Sequence, residues 1–392
     1  MLPFVSAHGV GFRTGIPAST MSDRHRVLAD LCRSDGVDAL LFYGNEAARH
    51  DIRFITGWGP GWDTYALIRP GSRPCLWIPA ENHVPSARSV ASETVDVAWV
   101  GPDHVATIVD ATRAIGPGTS FRLGIVGPLP YRTFVRLGEH LPGTEFIDMT
   151  AAFTALRLVK GPEEIEAARR AAALADLAIE ELRASLRPGK RDYELGAIVE
   201  EAYRRRGGEH GICFLASAAM TGGGPIVPAQ VWSDRELVDG DLVTIELSVG
   251  VDGVTSQVLR TIAFGVPTPD VLRLHGVADE AFASLLAAAV PGTPAARLLE
   301  VAGLIDTAGM TVVDDVVHGY GGGYLPPVLR TPRTQRRPVP DLELRPGMML
   351  VVQPNVVTPD GRLGVQTGEL VVITERGAER LHALPTGLLR AP

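Results

Sequence analysis

The segment Gly240–Thr261 constrains this chain most, because it has the pattern of a β-hairpin that carries polar side chains at matched places. Two apolar, β-branched segments, Leu242–Val249 and Val254–Phe264, flank an Asp-Gly turn. Glu246 lies in the first segment and Gln257 in the second. Folding about the turn brings two such side chains to one face, the usual way to build a paired-carboxylate site. Here one of the pair is an amide, which is a much poorer ligand for a divalent cation.

Composition describes a globular protein with room for two domains. The chain has 392 residues, of which 45% are hydrophobic and 21% charged. Its formal net charge of −8 argues against nucleic acid as a main partner. The sequence predicts no membrane segment and no signal peptide. Cys32, Cys75 and Cys213 are far apart, which predicts reduced thiols and a cytoplasmic location.

Strand and helix patterns alternate in the first part of the chain, which predicts an α/β domain over residues 1–155. The predicted helices are Met21–Ser34, Val105–Ala114 and Pro130–His140, and the predicted strands are Val37–Tyr43, Tyr65–Arg69, Cys75–Ile78, Arg122–Val126 and Glu145–Asp148.

Residues 156–392 predict an α+β domain, with helices around an antiparallel sheet. Pro162 followed by two glutamates is a strong helix start, because proline suits the first turn and acids suit the positive end of the helix dipole. The predicted helices are Pro162–Leu186, Tyr193–Arg206, Pro269–Ala289 and Pro294–Ala308, and strands are predicted beside the hairpin at Thr311–Val317, Met348–Gln353 and Glu369–Thr374.

Six motifs, spread over nearly the whole chain, occur in the order found in one known family. They are Asp51–Gly57, Leu156–Ile165, Ser233–Leu242 with Leu259–Thr261, Val317–Gly321, Leu344–Pro354 and Gly364–Thr374. Together they resemble the pita-bread-fold family of aminopeptidase P, prolidase and creatinase (peptidase M24-like). The resemblance implies a creatinase/prolidase-like N-terminal domain followed by a pita-bread catalytic domain, and a homodimer.

In metallopeptidase members of this family, two Asp, one His and two Glu side chains hold two metal ions. The resemblance places these positions on Glu246, Gln257, His318, Gln353 and Gly368. Two divalent cations about 3.5–4 Å apart need several anionic oxygens to offset their repulsion. The resemblance therefore implies a member that lacks the metal ligands, and no metal or other cofactor is predicted.

Two alternatives keep some of the family chemistry. Glu369 directly follows Gly368 and takes the missing acidic position if the strand register shifts by one residue. An Xaa-Pro metallopeptidase that retains one metal is the second alternative.

Creatinase is the family precedent for a metal-free site, and it hydrolyses a C–N bond of a small guanidino acid. The position of its catalytic histidine falls on Ala229, beside Gln230, and a second family histidine falls near Leu325. The creatinase mechanism therefore does not transfer whole. His318 and Glu246 are the retained groups with ready acid/base chemistry.

The predicted catalytic residues are His318, Glu246 and Glu369. His318 lies in a glycine-rich segment, where backbone can approach a ligand closely, and an ordinary pKa near 6.5 suits proton transfer. The alternatives are a structural histidine and an ion pair between Glu246 and Arg260.

The predicted substrate-binding residues are Gln257, Gln353, Arg260, Gln230, Tyr320 and Arg53. Glutamine amides donate as well as accept hydrogen bonds, so they fit a pocket that holds a polar ligand directly. Relics of a lost metal site are the alternative for both glutamines. Because dimeric relatives present this region to the partner subunit's pocket, the resemblance implies a role across the interface for Arg53, Trp58 and Trp62, with core packing as the alternative for the tryptophans.

Four arginines, at positions 330, 333, 336 and 337, occur in a proline-rich segment. Such a run is typical of a solvated surface loop. The alternative is a rim that attracts an anionic small molecule, because guanidinium groups match carboxylates.

The sequence thus predicts a homodimeric, metal-independent enzyme that hydrolyses a C–N bond of a small amino-acid-derived substrate by acid/base catalysis. A lyase, cyclase or isomerase on a small metabolite, or an inactive peptide- or ligand-binding homologue, is the alternative. An Xaa-Pro metallopeptidase is a further alternative.

Overall fold

A computed structural model describes residues 15–115 and 121–392. The chain divides into two compact units, with the boundary between Arg157 and Leu158. None of the helices in the described ranges is both long and apolar enough to cross a membrane.

The N-terminal unit alternates helices and strands, as predicted. Its helices are α1 (Ala18–Asp35), α2 (Arg49–Thr56), α3 (Val84–Val90), α4 (His104–Arg113), α5 (Tyr131–His140) and α6 (Thr150–Leu156). Its strands are β1 (Ala39–Gly44), β2 (Thr64–Ile68), β3 (Cys75–Ile78), β4 (Asp96–Trp99), β5 (Phe121–Val126) and β6 (Thr144–Asp148).

One mixed sheet, in the order β4-β3-β2-β1-β5-β6, forms the centre of this unit. Alternate residues of β1 point to opposite faces. Leu40 and Phe42 pack in a core with residues of α1, α2 and α6, whereas Leu41 and Tyr43 pack with residues of α4 and α5. Both faces are therefore covered by helices, and the predicted α/β class is confirmed.

The C-terminal unit combines long helices with antiparallel strands. Its helices are α7 (Pro162–Ser185), α8 (Asp192–Arg204), α9 (Pro269–Ala288), α10 (Ala295–Ala302) and α11 (Leu304–Thr307). Its strands are β7 (Glu209–Ala219), β8 (Asp241–Val251), β9 (Val254–Phe264), β10 (Val317–Gly319), β11 (Leu325–Leu329), β12 (Met349–Val352), β13 (Asn355–Val357), β14 (Gly364–Gln366), β15 (Gly368–Thr374), β16 (Gly377–Arg380) and β17 (Leu389–Arg390).

The main sheet of this unit runs β11-β10-β12-β15-β9-β8-β7, and all neighbours along this path are antiparallel. Ile245 and Leu247 of β8 pack with α7 and α8 in one core. Because successive side chains in a strand alternate, Glu246 between them points to the opposite face. The predicted hairpin and the α+β class are confirmed.

Two predicted elements differ in detail. The helix expected over Pro294–Ala308 is divided into α10 and α11 at Gly303. The strand expected over Thr311–Val317 begins only at Val317. Asn355 Oδ1 accepts hydrogen bonds from the backbone N–H groups of two residues that precede β10. This part of the chain therefore lies outside the sheet.

Candidate functional site

Glu246 and Gln257 meet across the β8–β9 hairpin. Ser248 is paired with Gln257, and Glu246 with Leu259, so Glu246 and Gln257 are diagonal neighbours on one face. The Gln257 amide Nε2 donates a hydrogen bond to the Glu246 carboxyl group. Gln257 Oε1 is buried and, within the described residues, accepts no hydrogen bond. The pair thus leaves one acceptor for a donor from a ligand.

Two adjacent acids, Asp314 and Asp315, lie close enough to Glu246 to change its ionisation. Burial, followed by the charges of Asp314 and Asp315, raises the pKa of Glu246 to about 8. Burial and the contact with Asp315 raise the pKa of Asp314 to about 6. Near pH 7 Glu246 therefore keeps its proton while Asp314 is mostly ionised. The site contains two carboxyl groups with different protonation states.

His318, on β10, is fully buried beside these acids. Its Nδ1 lies 3.1 Å from the Gly319 carbonyl oxygen, and its Nε2 lies 3.2 Å from Gln353 Oε1. Burial lowers the pKa of His318 to about 4, so the ring is neutral near pH 7. A neutral imidazole has one N–H and donates to one of these two acceptors.

Gln353 connects His318 to Asp315. Its Nε2 lies 3.2 Å from the Asp315 carbonyl oxygen and 3.4 Å from Asp315 Oδ2. Both of these atoms are acceptors, which fixes the amide so that Oε1 faces His318. Asn355 Nδ2 donates to the same Asp315 carbonyl at 2.8 Å. The acids before β10 are therefore held in place by two buried amides.

Two tyrosines contact the His318 ring. Tyr324 stacks on it, with ring centroids 4.0 Å apart and planes 18° apart, and its hydroxyl donates to Asp315. Tyr320 contacts the ring edge at 5.3 Å, and its hydroxyl donates to Ser248 Oγ at 3.0 Å. Tyr324 is exposed, whereas Tyr320 is buried. Tyr324 thus separates His318 from solvent.

Asp314, Asp315 and Tyr324 were missed in the sequence analysis. The signal available was a pair of consecutive acids just before the glycine-rich histidine motif. Nothing in the sequence indicated that Tyr324 stacks on His318, because that contact depends on the turn between β10 and β11.

Gly368 lies on the same sheet face but has no room for a side chain. Its pairing with Leu259 places it near Gln353. A Cβ atom there would lie 2.5 Å from the Val352 carbonyl oxygen and 2.6 Å from Gln353 Cα. Both are backbone atoms, so this face does not accommodate an acid at position 368.

The structure does not bring Glu369 and Arg260 together with this group, although Glu369 was predicted to be catalytic and Arg260 to bind substrate. Glu369 pairs with Val258 and Val352, which places it on the sheet face opposite Gly368. There its carboxylate forms buried ion pairs with Arg260 and Arg380. Arg260 is itself fully buried and also donates to the Gly368 carbonyl at 2.7 Å. The anticipated ion pair between Glu246 and Arg260 is therefore wrong.

Gln230 and Arg53 are the remaining residues that were predicted to bind substrate. Gln230 is exposed in the loop after β7, and in the described ranges its side chain forms no hydrogen bond with the site. Arg53 lies on α2 of the N-terminal unit. The predicted substrate-binding roles of both residues stay predictions.

The donor set does not fit two divalent cations. Glu246 is hydrogen-bonded to an amide, Gln353 Oε1 faces His318, and position 368 offers no ligand side chain. Across residues 15–115 and 121–392, no three His, Cys, Asp or Glu side chains are grouped so that they could hold a metal ion. Two mutually repelling cations need more anionic oxygens than these residues supply.

Comparisons with known proteins give the family. Residues 24–159 match the creatinase/prolidase N-terminal domain, and residues 166–375 match metallopeptidase family M24. An Xaa-Pro dipeptidase of Pyrococcus furiosus is 30% identical over 269 residues, which cover 68% of this chain and 75% of that protein.

Solved structures agree on the fold. A prolidase from Pyrococcus horikoshii OT3 superposes with a TM-score of 0.78 at 23% identity, covering 93% of this chain and all of that one. An X-Pro aminopeptidase from Thermotoga maritima MSB8 gives a TM-score of 0.80 at 21% identity, covering 94% and 99%. The expected pita-bread architecture is confirmed, and the chain belongs to metallopeptidase family M24, a hydrolase family, with a creatinase/prolidase N-terminal domain.

Proposed function

We propose that this protein hydrolyses a C–N bond of a small amino-acid-derived substrate, without a metal ion, by acid/base catalysis between two carboxyl groups. The observation that carries the proposal is the hydrogen bond from Gln257 to Glu246. In metallopeptidase relatives, the resemblance implies that both positions hold metal. Here the Gln257 amide donates a hydrogen bond to the Glu246 carboxyl group.

Glu246 and Asp314 take the acid and base roles in this proposal. Asp314, ionised near pH 7, accepts a proton from the attacking water, while the oxygen forms a bond to the substrate carbon. Glu246, protonated near pH 7, donates its proton to the leaving nitrogen as the C–N bond breaks. The two carboxyl groups exchange protonation states in the reaction, and a proton transfer through solvent restores them.

His318 is a positioning residue in this scheme, which departs from the sequence-based prediction. Its ring is buried, and both nitrogens face acceptors that belong to the protein. It orients Gln353, which in turn holds the Asp315 backbone beside Asp314. Gln257 Oε1 is the acceptor for a substrate N–H group.

An Xaa-Pro dipeptidase is the second candidate. The observation in its favour is the 30% identity to a relative of that name over most of the chain. A dipeptide is itself an amino-acid-derived substrate whose amide contains a C–N bond, so the two candidates differ mainly in metal dependence. We also propose the homodimer that the sequence predicts, which light scattering tests directly.

The decisive experiment uses the purified full-length protein with and without a chelator. Metal content is measured by mass spectrometry, and hydrolysis is followed for Xaa-Pro dipeptides, N-acyl amino acids and guanidino acids. Turnover that survives chelation and falls in both Glu246→Gln and Asp314→Asn supports the proposal. Turnover that requires stoichiometric manganese, cobalt or zinc overturns it in favour of the dipeptidase. Absence of turnover across the panel favours a binding homologue.

A further inference from the structure

Three side chains form a continuous hydrogen-bonded chain inside the C-terminal unit. His382, in the segment after β16, has Nδ1 2.6 Å from Asp176 Oδ1 on α7 and Nε2 2.7 Å from Ser256 Oγ on β9. Because a carboxylate only accepts, Nδ1 carries the hydrogen, and in the neutral ring Nε2 accepts the Ser256 hydroxyl. One buried imidazole therefore joins a helix, a strand and the segment after β16.

This order of groups is that of a serine-hydrolase triad, but burial excludes a nucleophile here. Ser256 is fully buried, and His382 is 4% exposed. Because successive side chains of a strand alternate, Ser256 points to the sheet face opposite that of its neighbour Gln257. It lies on the same face as the buried ion pair of Arg260 and Glu369. The chain of hydrogen bonds thus lies behind the candidate site.

The Asp176 carboxylate also holds the backbone that follows His382. Its Oδ2 accepts the Ala383 N–H at 2.7 Å and the Leu384 N–H at 3.2 Å. Further along, strand β17 pairs in parallel with β9. Residues 382–391, which we call the tail segment, are therefore attached to β9 near both ends of the segment.

A second contact fixes β9 to the tail segment close to the site. Arg260 Nε donates to the Pro385 carbonyl at 3.1 Å, and its Nη2 donates to the Leu384 carbonyl at 3.4 Å. Ser256 directly precedes Gln257 in β9, and Arg260 follows it by three residues. The strand is thus held from behind on both sides of Gln257.

We propose that the chain of three side chains is a latch. It holds the tail segment on β9 and thereby fixes the position of Gln257 in the candidate site. Because the backbone at Ser256 is tied through His382 to α7, the next residue keeps the orientation in which it donates to Glu246. Asp176, His382 and Ser256 are positioning residues in this proposal. The latch needs no turnover, so it does not depend on the proposed function.

The test follows the side-chain amide of Gln257 by NMR in the full-length protein labelled with ¹⁵N-glutamine. The chain has five glutamines, so the spectrum is simple, and Gln353 is an internal reference. Gln257→Glu assigns the signal. In His382→Leu and in Ser256→Ala we expect hydrogen exchange of the Gln257 amide to be roughly tenfold faster, because β9 then opens locally. Exchange at Gln353 should keep its wild-type rate.

The matched control is His275→Leu. His275 is also buried, with Nδ1 2.9 Å from Asp279 Oδ2, but this hydrogen bond stays within α9. We expect the control to leave exchange at Gln257 unchanged. An equal rise in the control and the latch variants would show a general loss of stability and would overturn the latch.

Mass spectrometry of hydrogen exchange follows the tail segment in the same samples. Faster exchange of residues 382–391 in the latch variants, with Gln257 at its wild-type rate, would show that the segment does not position the site residue and would overturn the proposal. If His382→Leu does not fold, Ser256→Ala decides between these outcomes, because it removes only one buried hydroxyl group.

Discussion

Gln257 donates its side-chain N–H to Glu246 across the hairpin, an interaction that two carboxylates at these positions cannot make. Glu246 retains its proton near neutral pH because it is buried beside Asp314 and Asp315. The amide thus keeps one negative charge out of a crowded acidic site.

Replacing Gln257 by Glu places a second acid beside Glu246 and removes the N–H donor. We expect a loss of about 1–3 kcal/mol in the free energy of unfolding, with a larger loss at pH 8 than at pH 5 because like charges then oppose each other. Urea denaturation at both pH values measures it. The control is Gln230→Glu, which makes the same charge change in an exposed loop. Equal losses in the two variants would contradict the relationship.

The pKa of Glu246 predicts how stability changes with pH. Folding raises this pKa from 4.5 to about 8, so between these values the folded state binds a proton that the unfolded state has released. Stability therefore falls as pH rises through this window, by about 1.4 kcal/mol per unit at most. His318, whose folded pKa is about 4, acts in the opposite direction only below its ordinary 6.5.

We therefore expect the fall of unfolding free energy with pH to come mainly from Glu246 between about pH 7 and pH 8, where His318 no longer opposes it. Glu246→Gln should flatten the decline in unfolding free energy there, while Glu343→Gln, at an exposed position, should retain it. Denaturant titrations at closely spaced pH values give the comparison. If the unfolding free energy of Glu246→Gln declined with pH as steeply as that of the wild type, the pKa of Glu246 would not be raised in the folded protein.

The acid/base pair predicts a bell-shaped dependence of kcat/KM on pH. Activity should rise as Asp314 ionises with a pKa of about 6 and fall as Glu246 ionises with a pKa of about 8. Asp314→Asn and Glu246→Gln should each lower kcat by about 10²–10⁴-fold, the first removing the acid limb and the second the alkaline limb. A profile whose limbs are unaffected by either variant would refute the assignment.

Steric crowding at Gly368 predicts a strong stability effect from one methyl group. Gly368→Ala places Cβ against the backbone of Val352 and Gln353, and we expect a loss of about 1–3 kcal/mol or more. Gly276 on α9 has open space around the same position, so Gly276→Ala should be neutral or stabilising by about 0.4–1 kcal/mol. Thermal unfolding of the two variants compares their stability. Similar unfolding midpoints for Gly368→Ala and Gly276→Ala would contradict the packing argument.

The buried ion pair on the opposite face predicts that Glu369 acts through stability alone. Glu369→Gln leaves Arg260 buried without its charge partner, and we expect a loss of about 3–5 kcal/mol. Glu379→Gln, which removes an exposed ion pair with Arg169, should cost about 0–1 kcal/mol. At temperatures where Glu369→Gln is folded, its kcat/KM should match the wild type. A pH-dependent loss of kcat in Glu369→Gln would show that Glu369 takes part in catalysis.

Much of the fold was predictable because the hairpin and the helices have strong local patterns. Glu246, Gln257, His318 and Gln353 were also correctly grouped, since ordered motifs placed them on one sheet face. The face of Glu369 was not predictable, because a shift of one residue in strand register exchanges the two faces. The roles of Asp314 and Asp315 depend on tertiary contacts with Asn355 and Gln353, which have no local signature.

The lack of space at Gly368 also limits how this chain can change by single substitutions. An acid introduced there meets backbone atoms before it reaches the site, and an acid introduced at Gln353 loses the amide that holds Asp315. Each step towards a five-ligand metal centre therefore destabilises the fold before any cation can compensate. Building a five-ligand dinuclear centre on this sheet face would therefore require several simultaneous replacements.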